Sequence, residues 1–256
     1  MLAELSNVSK SLQDKASGEK GEQIPEVRVL DQISLSIAES DTIAIVGPSG
    51  SGKSTLLNLI GCLDKPNSGR VIINGSDTRD LSDNALSALR NRFIGFVFQM
   101  HHLLPQLSII DNVLLPVLPG ADPAAARDAR DHAMALLEKA GIAGHYKKHP
   151  YRLSVGECQR AAVVRALVNR PRLVLADEPT GSLDAANASI LGDMLLRLTS
   201  EESAALVVAV AVLTGALMVG DSVKYSLRRI TDQRLGKIRL ALIPGAGVHQ
   251  EDTVPP

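Results

Sequence analysis

The residues best suited to chemistry are Gly47, Pro48, Ser49, Gly50, Ser51, Gly52, Lys53, Ser54 and Thr55: a glycine, four residues, then Gly-Lys-Ser. This spacing suits an anion with several oxygens. The glycines let backbone N–H groups turn inward and approach a phosphate closely. Lys53 supplies a point charge for β- and γ-phosphates, and the Ser54 hydroxyl can hold Mg²⁺. A second constellation is the apolar run Leu173-Val174-Leu175-Ala176 ending in Asp177 and Glu178. Two adjacent carboxylates can divide the labour. Asp177 can sit in the Mg²⁺ shell while Glu178 orients or deprotonates an attacking water. The pair of motifs points to binding and hydrolysis of a nucleoside triphosphate.

Both motifs need particular elements around them. Thr42 to Val46 is a short apolar run, predicted as a buried strand, and Leu56 to Ile60 reads as a helix start. Strand, glycine loop and helix place the positive end of a helix dipole at the anion. Leu173 to Ala176 is predicted as another buried strand, delivering the acidic pair to the carboxyl edge of a sheet, where α/β proteins bind ligands. Leu2 to Ser9, Val27 to Ile37, Arg70 to Asn74 and Ile94 to Phe98 are further predicted strands, with an exposed hairpin loop over Ser11 to Glu26. Helices are predicted over Ser82 to Asn91, Ala124 to Lys139, Val155 to Asn169 and Ala185 to Leu198. Asp122-Pro123 is a cap followed by a first-turn proline, and Gly141 is a stop.

Composition narrows the partners. The chain has 256 residues, 45% hydrophobic, with a formal net charge of −1. It therefore carries no basic field for nucleic acid. Aromatics are 2% and Trp is absent, so base-stacking surfaces are not expected. Cys62 and Cys158 are far apart, are expected in helices, and read as reduced thiols with no zinc site. The adjacent His101 and His102 point apart and lack a third metal ligand. Arg90, Arg92, Arg170 and Arg172 read as solvated or paired surface charges.

Between the two motifs lies Leu153-Ser154-Val155-Gly156-Glu157-Cys158-Gln159-Arg160. Here the chain resembles the ATP-binding subunits of ABC transporters, whose signature is Leu-Ser-Gly-Gly-Gln/Glu just before the acidic strand. The resemblance covers roughly residues 2 to 200 and includes Gln99 after Phe96-Val97-Phe98, and Ser182-Leu183-Asp184 after the acidic pair. Phe98-Gln99 with His101 to Pro105, and Ala176 to Gly181, resemble the lipoprotein-release and macrolide-export branch. The resemblance implies an α/β fold, a P-loop NTPase core with an antiparallel β subdomain and a helical subdomain carrying the signature. It implies ATP and Mg²⁺ as ligands, with Ser54, Gln99 and Asp177 toward the metal and Glu178 and Gln99 catalytic. It also implies a head-to-tail homodimer. Ser154, Gly156 and Glu157 of one copy would then face the phosphate loop of the other, and Asp184 would bridge the pair. The remaining partner would be a transmembrane permease, with the ATPase peripheral on the cytoplasmic face of the plasma (inner) membrane.

The sequence departs from that pattern in three places. Val155 replaces the first signature glycine, and a β-branched residue excludes positive φ; Gly156, the glycine expected to approach the phosphate, is kept, so this reads as a tolerated variation. The adenine-stacking aromatic falls near Leu12, and no aromatic precedes Phe93. The switch histidine falls near Ala211, at the end of a predicted strand over Ala205 to Val210. From about Ser203 the chain instead resembles the start of a permease of the same class. The expected division is an ATP-binding domain over 1–202, incomplete at its C-terminus, and an apolar segment and tail over 203–256. Ala204 to Gly220 is uncharged and close to the roughly 17-residue minimum for a membrane span. A final sheet strand competes with that span. Ending the chain before Ser203 is expected to remove membrane association.

One alternative keeps the fold but has little hydrolysis, for want of the histidine. Another is a soluble ABC ATPase of DNA repair or chromosome maintenance. Those carry a long coiled-coil insertion, and the roughly hundred residues between phosphate loop and signature leave no room for sustained heptads. A P-loop kinase would not need the signature.

Overall fold

The computed structural model describes residues 1–13, 26–119 and 122–211, and the backbone of 238–242. In chain order the elements are β1 (Ala3–Gln13), β2 (Glu26–Ile37), β3 (Thr42–Gly47), α1 (Lys53–Ile60), β4 (Ser68–Ile73), β5 (Ser76–Asp77), α2 (Asp83–Phe93), β6 (Ile94–Val97), α3 (Ile109–Leu114), α4 (Pro123–Lys139), α5 (Val155–Leu167), β7 (Leu173–Asp177), α6 (Ala185–Glu201), β8 (Ala205–Ala211) and β9 (Ile238–Leu242). They form two sheets. One is antiparallel with order β2-β1-β4-β5; the other has order β6-β7-β8-β3-β9, with every pair parallel. This is the expected α/β core with an antiparallel companion sheet.

Strands β3, β6, β7 and β8 of the parallel sheet are covered on both faces, which explains why they are largely apolar rather than alternating. Along β7, Leu173 and Leu175 join the core shared with the antiparallel sheet, α1 and α2. Val174 and Ala176 point the other way, into the core built with α3 to α6. Strand β8 repeats the pattern, with Ala205, Val207 and Ala209 on the first face and Leu206 on the second. Loops therefore run to the sheet's edges, and both chemical motifs emerge at the carboxyl ends of β3 and β7.

Helix starts follow their caps. Ser82 caps α2 by accepting from Ala85 N, and Asp122 caps α4 by accepting from Ala124 N and Ala125 N, with Pro123 as the first helical residue. Gly141 has φ of 69°, the left-handed turn that ends the segment. Three expectations are corrected. Ser11 to Gln13 and Glu26 extend β1 and β2 rather than forming loop, while residues 14–25 lie outside the described residues. Cys62 sits in the turn after α1, at φ of 55°, not in a helix. Helix α3 was not foreseen; its six residues are organised by Ser108, which accepts from Asp111 N.

The stretch 204–220 is resolved in favour of the strand over its first part. Residues 205–211 form β8 between β7 and β3, and its hydrogen-bonding edges are both filled. Among the described residues no helix is long and apolar enough to cross a membrane. Residues 212–220, and with them most of the permease-like stretch, lie outside the described residues. A chain ended before Ser203 therefore loses a central strand and not only an apolar tail. Such a chain uncovers Ile43, Ile45, Leu173 and Leu175, all at most 1% exposed; at about 1.5–3 kcal/mol for each such side chain the loss is comparable to the ~5–15 kcal/mol that holds a domain together. The expected outcome is the absence of a cooperative thermal melt in circular dichroism. A chain ended there that melts cooperatively would show β8 to be dispensable.

Candidate nucleotide site

Strand β3 ends at Gly47 and the chain turns through Gly50 (φ 79°) and Gly52 (φ 95°) before α1 begins at Lys53. Gly52 is required twice over. Its φ is left-handed, and a Cβ there would lie 2.9 Å from both Cγ1 and the carbonyl oxygen of Val29. The loop is thus pressed against β2, with its turn set by an absent side chain. Lys53 is 4% exposed. Its ammonium donates to the carbonyls of Gly47 (3.1 Å) and Pro48 (2.9 Å), so the lysine folds back over its own loop. Ser54 and Thr55 follow on the first turn of α1, with Ser54 exposed, and the buried Ser51 hydroxyl has no hydrogen-bond partner.

The acidic pair arrives beside this loop. Lys53 Nζ lies 3.5 Å from Glu178 Oε1, which joins two motifs far apart in sequence. Glu178 adopts φ of 46°, and its N–H donates to Ala209 O of β8. A left-handed non-glycine residue carries strain, here held by β8 and by the turn in which Gly181 N donates to Glu178 O. Asp177 ends β7, and its Oδ1 is buried with no hydrogen-bond partner. An orphaned buried carboxylate oxygen is costly unless a cation or water completes it. That fits Mg²⁺, with Asp177, the Ser54 hydroxyl and Gln99 as the residues to hold it.

Gln99 follows β6 and reaches the same edge. A Cβ on Gly181 would lie 2.9 Å from Gln99 Nε2, so the glycine makes room for this side chain. The Ser182 hydroxyl donates to Gln99 O at 3.4 Å. Gln99, Asp177, Glu178, Lys53 and the phosphate loop are therefore neighbours in one chain.

The signature occupies the start of α5. Ser154 is its cap. The hydroxyl accepts from Glu157 N (3.3 Å) and donates to Glu157 Oε2 (2.8 Å), while Ser154 N donates to the same carboxylate oxygen (2.7 Å). These hydrogen bonds to Ser154, backbone first, hold the Glu157 carboxyl below the usual range, with the nearby His145 and Arg160 adding to the effect. His145 Nε2 lies 3.3 Å from Glu157 Oε1. Val155 is the first helical residue and 54% exposed. Its φ is not positive, nor is that of Gly156, so the valine stands at a position any L-residue accepts. Gly156 packs beside Asn187 of α6; a Cβ there would be 3.5 Å from Asn187 Oδ1. Asp184 caps α6, accepting from Asn187 N (3.0 Å) and Nδ2 (2.6 Å), which lowers its pKa. Sequence reasoning missed this capping role, although an Asp just before the helical run is its usual signal.

The remaining candidates have local explanations. Leu12 lies on β1 opposite Val27 and is 45% exposed. His101 Nδ1 accepts from Leu103 N, and His102 stands edge-on to Phe98. Burial pushes the Cys62 thiol up to about 11 and raises that of Cys158, so both are inert. Arg170 pairs with Asp128 and Arg172 with Glu39, as expected of surface charges, whereas Arg90 donates to the Cys62 carbonyl. Strand β8 ends with Val210 opposite Val46 and Ala211 opposite Gly47. The position expected for a switch residue thus adjoins the phosphate loop, but neither side chain carries a hydrogen-bonding group.

The comparisons agree with this geometry. The ABC transporter family profile matches residues 30–181. A lipoprotein-releasing system ATP-binding protein LolD of Legionella pneumophila (strain Paris) is 46% identical over 182 residues, 71% of this chain and 79% of that protein. The LolD protein of Bordetella pertussis is 44% identical over 212 residues, 81% and 89% of the two chains. The macrolide export ATP-binding/permease protein MacB of Syntrophobacter fumaroxidans is 43% identical over 182 residues, 71% of this chain but 26% of that longer protein. Among solved structures, a dimeric form of MJ0796, a bacterial ABC transporter cassette, superposes with a TM-score of 0.78 at 33% identity over 100% of both chains. A dimeric post-hydrolysis state of MJ0796 bound to ADP and Pi gives 0.75 at 32% identity, again over 100% of both chains. With the profile covering more than half of its length and LolD proteins this close, the chain belongs to the ABC transporter family, as one of its ATP-binding proteins.

Proposed function

We propose that this chain binds and hydrolyses Mg²⁺-ATP as one of two like domains in a head-to-tail pair that drives a membrane permease of the lipoprotein-release or macrolide-export type. The observation that carries the reading is the meeting of Lys53 and Glu178 at 3.5 Å beside the orphaned Asp177 carboxylate oxygen. Lys53 and the loop N–H groups would hold the phosphates, and Ser54, Asp177 and Gln99 would hold Mg²⁺, which would supply charge to neutralise the phosphate oxygens. Glu178 accepts the proton of the attacking water. Ser154 and the N–H of Gly156 serve the γ-phosphate of the second copy from a helix N-terminus. For Ser154 to donate there, its hydroxyl must give up the bond it donates to Glu157 Oε2, while both capping-box bonds, in which Ser154 Oγ accepts from Glu157 N and Glu157 accepts from Ser154 N, can stay. Asp184, held by its own helix cap on Asn187, would bridge to the partner copy. The exposed Met100 and Leu104, on either side of two histidines just after Gln99, offer the permease an apolar contact.

Lys53→Ala removes the charge-assisted bonds to two phosphates. At about 1.5–3 kcal/mol each, the loss is roughly 3 kcal/mol or more, or ~10²-fold and upward in Kd. Isothermal calorimetry with Mg²⁺-ATP measures it, and unchanged affinity would reject the phosphate-loop assignment. Glu178→Gln is expected to keep ATP binding and to lower kcat by at least ~10²-fold, since the amide is no base. Phosphate release at the wild-type rate would assign the base elsewhere.

A second reading, weak turnover, is favoured by Val210 and Ala211 at the end of β8. Adjacent strand residues face opposite sides, so one of the two positions faces the phosphates. Between Ala211→His and Val210→His, one is expected to raise kcat, by up to ~10²–10³-fold, the typical worth of one preorganised transition-state contact. Equal, unraised rates in both variants would show that another group already fills the role.

A further inference from the structure

We infer that Gln159 and Arg165 of α5 are positioning residues for Gln99, tying the Gln99 segment to the signature helix of the same chain. The segment after β6 is held at three points. Gln159, fully buried, donates from Nε2 to Phe98 O at 2.6 Å. Arg165 donates from Nη2 to His101 O and from Nη1 to His102 O, both at 2.8 Å. Asn112 of α3, also fully buried, holds Leu104 by both its N–H (2.7 Å) and its carbonyl (3.0 Å). Only Gln99 and Met100 lie between the first two clamps, and the three residue steps from Phe98 to His101 span at most ~11 Å. The backbone of Gln99 therefore cannot shift far unless α5 shifts with it.

Both clamps are side-chain donors on α5 that meet backbone carbonyls of the strap. Arg165 has no carboxylate within ion-pair distance among the described residues. Its charge is spent on two successive carbonyls, a fork that only a guanidinium supplies. The second atom of the Gln159 amide, Oε1, is buried with no partner. Residue 159 is thus a buried polar group kept for one bond to the strap, where an apolar residue would fill the core without an orphan. Helix α5 begins at the signature cap Ser154 and carries both clamps on its body. Displacement of its N-terminus by the second copy is passed to Phe98, His101 and His102, and so to Gln99. This assignment rests on the ATPase reading above, with Gln99 as a member of that site.

The test is a double-mutant cycle in the full chain. Gln159→Leu keeps the volume and removes the donor; Arg165→Lys keeps the charge and removes the fork. Each is expected to lower single-turnover hydrolysis ~10–10²-fold, the scale of a ~1 Å misplacement, with ATP affinity changed less than about threefold. In a Gln99→Ala background the same substitutions should change the rate less than about twofold. Backbone hydrogen exchange over 98–104 should accelerate in both variants without nucleotide. Should Gln159→Leu fail to fold, Arg165→Lys carries the cycle alone. Losses that multiply in the Gln99→Ala background, or unchanged exchange over 98–104, would overturn the inference. A wild-type chain that neither binds nor hydrolyses ATP would instead overturn the ATPase reading, while the exchange measurement would still judge the clamp.

Discussion

The buried ammonium of Lys53 sets the terms for the site. A cation at 4% exposure must find oxygen atoms, because desolvation of an unpaired charge costs several kcal/mol. Lys53 finds them in Gly47 O, Pro48 O and Glu178 Oε1. The first two require the loop to curl back on the helix that carries the lysine, which is possible only with Gly50 and Gly52 at positive φ. The third requires β7 to end close to the end of β3, with Asp177 at the level of Ile45 through their shared neighbour Ala209. Strand β8 secures that level, pairing with both and accepting from Glu178 N through Ala209 O. One charge thus couples loop conformation, sheet register and the placement of the acidic pair.

A second dependency runs through α5. Its N-terminus is closed by a reciprocal cap between Ser154 and Glu157, and its body holds the strap after β6. The capping box satisfies two backbone donors with one serine and one glutamate. Under the proposed head-to-tail reading, a γ-phosphate approaching Ser154 would compete with its hydrogen bond to Glu157 Oε2, and the phosphate charge would oppose Glu157. Closing such a pair would then cost a local rearrangement that the binding free energy of the triphosphate has to exceed.

The phosphate loop, the acidic pair and most strands and helices were legible because each is specified locally. Glycine and lysine spacing, runs of apolar residues and caps such as Ser82 and Asp122 act within a few positions. What was not legible depends on tertiary contacts. Helix α3 has only six residues, and its anchor Asn112 is defined by hydrogen bonds to Leu104, Leu107 and Ser108 rather than by periodicity. The roles of Gln159 and Arg165 depend on a strap some sixty positions away. Val155 is tolerated, as the sequence suggested, and what decides the matter is φ at the first turn of a helix, which no composition rule reports.

The run at 204–211 shows why an apolar stretch is ambiguous in principle. A strand inside a parallel sheet is covered on both faces, and a helix in a bilayer is covered on all sides. Both therefore select the same residues, and periodicity cannot separate them. The difference lies in the backbone. In lipid, each N–H and C=O must be satisfied within the segment. In β8 they are satisfied by neighbours, with Leu206 opposite both Thr42 and Val174, and Val207 opposite both Ile43 and Leu175. Those neighbours exist only because β3 and β7 are already required by the phosphate loop and the acidic pair. The chemistry of the site thus determines the structure of a stretch that carries no chemical group of its own.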